Sequence, residues 1–192
     1  MAFTMHACVI AKRSLINLSF LLLSNTAQGA EHISIPYAQV TKTDTNYSLS
    51  ATIYYPLSPR IIEAIDHGVP ITFYQEFQLL EPFNIYWQWQ QNVWSRTVRY
   101  QLRYHALSKQ YILLSLGTLQ RRSFPSLDIA LDDLGKIESL SLPPKHLINS
   151  SILTLQLRSG VDIHALPTPM RLGALISDKW QIKSPWVDAT WP

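Results

Sequence analysis

Residues 71–80 and 93–107 alternate apolar and polar side chains with a period of two, and no other feature of the chain restricts its fold as much. In the first run Ile71, Phe73, Gln75, Phe77 and Leu79 share one face, while Thr72, Tyr74, Glu76 and Gln78 share the other. In the second, Trp94, Val98, Tyr100, Leu102, Tyr104 and Ala106 lie opposite Ser95, Thr97, Arg99, Gln101, Arg103 and His105. Side chains spaced this way belong to strands with one buried face, so the two runs are expected to pair as a long antiparallel hairpin. The stretch 81–92 (EPFNIYWQWQQN) is aromatic and polar, and it reads as a long tryptophan-rich connection at the tip.

The stretch 60–82 leads into this hairpin. Ser58 reads as an N-cap and Pro59 as the first helical residue, where a missing N–H costs nothing. Ile61, Ile62, Ala64 and Ile65 give the short helix an apolar side, and Gly68 supplies a left-handed stop. His67 suits the negative end of that helix better than a ligand role, since no partner motif surrounds it. Upstream, 32–40 and the alternating run 46–55 form a first hairpin across Lys42-Thr43-Asp44-Thr45. Downstream, 110–116 lacks polar positions and reads as a more buried strand. A second helix starts at Ser126, with Leu127, Ala130, Leu131 and Leu134 on one side and Gly135 as its stop. Residues 136–142 are left open as strand or loop before Pro143-Pro144, and 149–159 form a strand with Leu153, Leu155 and Leu157 inward. From Asp162 onward the prolines favour an extended segment over the surface. The expected fold is mainly β with two short helices: a single antiparallel β-sandwich or a strongly curved sheet, over residues 30–192, with an extended C-terminal tail.

The first 29 residues read as a signal peptide. Lys12 and Arg13 precede the apolar core LINLSFLLL, and Ala27-Gln28-Gly29 places small residues before a cleavage point near Gly29. A start at Met5 would give a more typical basic region. A retained membrane anchor is the less favoured reading, because such a run is far below the roughly 20 residues that a spanning helix needs. The one cysteine, Cys8, lies inside this leader, so the exported chain is expected to hold no disulfide and no thiol chemistry. Without Lys12 and Arg13 the 16 basic residues fall to 14, against 13 acidic ones. Near-neutral charge argues against nucleic acid as a partner. The expectation is a soluble, periplasmic domain without a membrane span once the leader is removed.

Several strings in order resemble one family. They are Ile62-Glu63-Ala64-Ile65-Asp66-His67-Gly68-Val69-Pro70-Ile71-Thr72-Phe73, then Val98-Arg99-Tyr100-Gln101-Leu102-Arg103-Tyr104-His105-Ala106-Leu107 with Gln110-Tyr111. Residues 124–135, Arg158 with Asp162, Leu166-Pro167 and Ser184-Pro185-Trp186 extend the likeness. Together they resemble the bacterial DUF4390 family. The resemblance implies an exported proteobacterial protein, from a family sometimes encoded near an envelope sensor kinase. It implies no catalytic residues.

Chemistry is sparse. His32, His67, His105, His146 and His164 have no second ligand at metal spacing, so no metal and no cofactor is expected. Asp132-Asp133 reads as a solvated acidic patch rather than a calcium site, because no Asp-rich loop surrounds it. No Gly-x-Ser-x-Gly elbow occurs. Glu63, Asp66, Glu76 and Glu81 could supply a carboxylate pair, although their spacing does not require it. Two binding candidates remain. Arg99, Arg103 and His105 line a row about 20 Å long on one strand face, able to bind an anionic group or to pair with Glu76 across the sheet. Tyr86, Trp87, Trp89 and Trp94 could stack on a glycan, meet a membrane interface, anchor a partner, or cap the end of the sheet. The leading expectation is a non-enzymatic domain that binds an envelope protein or sensor. The alternatives are a hydrolase acting on an envelope polymer and a structural or assembly factor.

Overall fold

In a computed structural model the two alternating runs become β3 (Ile71–Asn84) and β4 (Trp89–His105), paired antiparallel. Ile71 stands opposite Leu102, Phe73 opposite Tyr100 and Leu79 opposite Trp94, so the apolar faces coincide as expected. The structure describes residues 32–42, 46–84, 89–143 and 153–192, all within one unit, Glu31–Pro192. The leader, 1–29, lies outside the described residues.

Two antiparallel sheets form the body. The smaller has the order β1-β2-β7, from β1 (Ser34–Lys42), β2 (Tyr47–Tyr54) and β7 (Lys136–Ser141). The larger has the order β6-β5-β4-β3-β8-β9, adding β5 (Gln110–Ser115), β6 (Arg121–Phe124), β8 (Thr154–Val161) and β9 (Val187–Asp188). Val40, Leu49, Ala51 and Ile53 from the first sheet and Phe73, Phe77, Leu79, Leu102, Leu155 and Leu157 from the second share one hydrophobic core. The fold is therefore mainly β with a few helices, and its strands are divided between two sheets.

Helix α1 (Pro59–Asp66) buries Ile61, Ala64 and Ile65 and stops at Gly68, whose φ of +79° is the left-handed conformation anticipated for it. His67 Nδ1 donates to the carbonyl of Glu63 at 2.7 Å and so caps the last turn. Ser58 departs from its expected role. Its hydroxyl donates to the Lys179 carbonyl at 2.7 Å, tying the start of the helix to the C-terminal segment instead of capping it. In α2 (Leu127–Gly135) Ser126 does cap, accepting from the Ile129 N–H at 3.4 Å. Gly135 is not a left-handed stop. It is needed because a Cβ there would collide with the Ile53 carbonyl oxygen.

Two larger corrections concern the tip and the tail. Residues 81–84 and 89–92 are strand rather than connection: Leu80 pairs with Asn92, Glu81 with Gln91 and Pro82 with Gln90, so the ladder runs on through them with two register shifts, and residues 85–88 lie outside the described residues. Apolar and polar residues do not alternate in 81–84 (EPFN) or 89–92 (WQQN), which hid this strand from a reading by alternation. The tail, likewise, is an integral part of the core. After a 3-10 turn at Ile163–Ala165 it forms α3 (Thr168–Ile176), and it buries Leu166, Ala174, Trp180, Ile182 and Ala189. Its last residues hydrogen-bond to both sheets: Ala189 N–H to Leu155, Val40 N–H to Thr190, and Thr190 N–H to Ala38. Prolines at the first turn of α3 are compatible with a helix, because the N–H groups they lack have no acceptor there.

One polar cluster lies inside the core. Gln75 Nε2 donates to the Leu134 carbonyl at 2.9 Å and to the Tyr55 hydroxyl at 3.2 Å. Tyr55 and Ser159 hydroxyls meet at 2.9 Å, and Ser159 donates onward to the Tyr74 carbonyl at 2.8 Å. These groups satisfy one another, which is what makes their burial tolerable.

Candidate functional site

The polar faces of β3, β4 and β8 lie together on the outward side of the large sheet. There Glu76 pairs with Arg158 on β8 at 2.5 Å, and the Arg158 guanidinium sits 4.4 Å from the centre of the Trp186 ring. The cross-strand Arg–Glu pairing weighed for Glu76 is therefore made, but with β8 and not with the arginines of β4. Arg99 reaches Asp162 at 3.5 Å. Arg103 is exposed and, among the described residues, has no ion-pair partner. His105 Nδ1 meets the Ser108 hydroxyl at 3.0 Å and accepts from the Ser108 N–H at 3.3 Å, so it closes the β4–β5 turn. The row thus divides into a paired arginine, a free one and a turn-closing histidine. Tyr86 and Trp87 lie outside the described residues, as does the side chain of Trp89, whose backbone pairs with Asn84. Trp94 is half-buried against the core.

Three of the four candidate carboxylates are engaged by other groups. Glu63 meets Arg60 at 3.4 Å, Asp66 accepts from the Tyr111 hydroxyl at 2.8 Å, and Glu76 is held by Arg158. Burial, with the Asp66 hydrogen bond and charge added, pushes the Tyr111 hydroxyl up to about 12, so it stays a donor to that carboxylate. Among the described residues no three His, Cys, Asp or Glu side chains group to hold a metal ion.

A concave site does form where sequence reasoning did not look. Helices α1 and α3 and the 3-10 turn Asp178–Trp180 enclose a groove of about 490 Å³. Ala64, Val69, Met170, Gly173, Ala174 and Trp180 give it an apolar floor and walls, and Arg60, Glu63, His67 and Ser177 line it with polar groups. Because His67 donates through Nδ1 to a carbonyl, Nε2 is the position left open on that ring. Next to the groove α3 turns apolar side chains to solvent: Leu172 is 73% exposed, Leu175 44% and Ile176 86%. Its one charged residue, Arg171, turns back to donate to the Leu166 carbonyl at 3.1 Å. A helix apolar on its solvent side as well as its buried side departs from the usual one-sided pattern. The signal was legible in TPMRLGALI, which carries helix-forming residues after a proline-rich start, but proline density led that stretch to be read as extended.

The family model described as a domain of unknown function (DUF4390) matches residues 30–190. No curated protein and no solved structure matches the chain.

Proposed function

The chain belongs to the DUF4390 family, and we propose that it is a non-enzymatic binding domain that works in the cell envelope after export. The observation that carries this reading is the exposed Leu172, Leu175 and Ile176 ridge beside the α1–α3 groove. Contiguous apolar surface rimmed by polar groups is what a protein-docking site offers. Its polar lining carries both signs, Arg60 with Glu63, which suits a protein segment of mixed charge. An envelope protein is the partner proposed here, with a sensor among the kinds that the family resemblance implies.

Export rests on the leader. Its basic start, apolar core and small residues before position 30 fit a cleaved signal, and the family match begins at residue 30. The intact mass of the protein recovered from its native cell should lack residues 1–29; a mass that retains them overturns cleavage. The hydrolase reading is weaker, since the groove supplies one carboxylate, Glu63, and that one is ion-paired. A structural or assembly factor remains the second reading, distinguished by an envelope defect on deletion without any captured partner.

The test compares capture from envelope extracts by the wild-type domain and by a Leu172→Asp, Ile176→Asp variant. Proteins held by the wild type should be lost from the variant. Equal capture by both removes α3 as the binding surface.

A further inference from the structure

A second surface, separate from α3, has a different chemistry. On the large sheet, Arg103 stands opposite Ile112 and Ile112 opposite Ser123, while Gln101 stands opposite Leu114 and Leu114 opposite Arg121. The Leu116 N–H donates to the Arg99 carbonyl at 2.9 Å and carries the ladder one residue further. Ile112, Leu114 and Leu116 therefore share the outward side of β5 and its extension, where Ile112 is already buried at 3% exposure, Leu114 is half-buried and Leu116 is exposed, while the inward Leu113 meets the core beside Leu102. Here the outward stripe is flanked by Arg99 and Arg103 on β4 and by Arg121 on β6. Arg103 and Arg121 have no ion-pair partner among the described residues, and the Arg99 side chain stays 52% exposed beside Asp162.

The turns at the two ends of β5 add an independent observation. Leu119, 74% exposed, holds a φ of +56° in a turn closed by Leu119 N–H to Ser115 at 2.8 Å and Ser115 N–H to Gln120 at 2.9 Å. Left-handed backbone favours glycine or asparagine, so an exposed leucine there costs stability and gives the core nothing. Strain kept at the surface points to a contact made elsewhere. Leu107, at the opposite turn, is 94% exposed, and Leu116 is 38% exposed.

We infer that the outward face of β4–β5–β6 docks on an anionic lipid surface. Arg99, Arg103 and Arg121 would meet headgroup phosphates, while Leu116, Leu119 and Leu107 enter the interface above the acyl chains. An acidic protein face would satisfy the arginines but leave leucines at both turns without a use, which is why lipid is the occupant favoured.

The experiment uses residues 31–192, whose core is complete within that span. The probe is phosphatidylcholine vesicles with and without phosphatidylglycerol, read by co-sedimentation. The wild type should bind the phosphatidylglycerol vesicles, leave the neutral ones and be released by salt. Leu119→Gly relieves the left-handed strain, so it should fold at least as well and bind roughly fivefold more weakly. Arg103→Glu with Arg121→Glu should lower binding by more than about tenfold. The inference fails if the wild type does not bind, or if both variants bind as the wild type does. It also fails if poly-glutamate competes fully while Leu119→Gly leaves binding intact, since that result identifies an acidic protein partner.

Discussion

Tyr55 holds its proton more tightly than an exposed tyrosine because it sits inside the core, edge-on to Phe73 at 5.4 Å. Burial pushes its hydroxyl from 10.0 to about 12, although its Ser159 and Gln75 hydrogen bonds pull the other way. The unfolded chain releases that proton near 10 and the folded chain near 12, so the folded state binds more protons in between. Stability from this group is fully present below pH 10 and falls as pH rises from 10 towards 12. Urea midpoints measured across that window should drop for the wild type and drop less for Tyr55→Phe. The same substitution should cost about 1–3 kcal/mol at neutral pH, since Ser159 and Gln75 lose a buried partner. Gly135→Ala forces a methyl group against the Ile53 carbonyl oxygen and should cost about 3 kcal/mol, read as a lowered Tm. Some residue roles were legible from local chemistry alone: Gly68 after a helix, His67 in its last turn, Ser126 before one. Ser58 and Gly135 were not, because their partners, Lys179 and Ile53, are distant in sequence and only the assembled fold brings them near.

Among the elements, α3 offers a direct contrast between its two sides. Leu172→Asp and Ile176→Asp, at exposed positions, should change unfolding free energy by no more than about 0.5 kcal/mol. Ala174→Asp, at a position 1% exposed, places a charge in the core and should leave little folded protein. Circular dichroism melts of the three variants check both expectations. The long strands were legible because one face of each is buried and alternation records that burial. β6 was missed because four residues alternate too briefly to stand out, and its two arginines resemble a loop. The tip ladder was missed for a related reason. Where apolar and polar residues do not alternate, hydrogen bonds between strands persist but leave no periodic trace in the sequence.

At the scale of the whole molecule, the C-terminal residues join two sheets by main-chain hydrogen bonds to β1 on one side and β8 on the other. Deleting residues 178–192 removes Trp180, Ile182 and Ala189 from the core and strips β9 from the edge of β8. The shortened chain should lose its cooperative urea transition, whereas the intact domain should unfold in one step by fluorescence and by circular dichroism. Composition and alternation disclosed the mainly β class, but the shared core and the α1–α3 groove depend on contacts far apart in sequence. The docking claim for α3 is most directly tested in the living cell, with a photo-crosslinking residue placed at Ile176 and, as a control, at the exposed Tyr54 on β2. A discrete adduct from position 176 that is absent from position 54 is the predicted result. No adduct from position 176, or the same adducts from both positions, would contradict it.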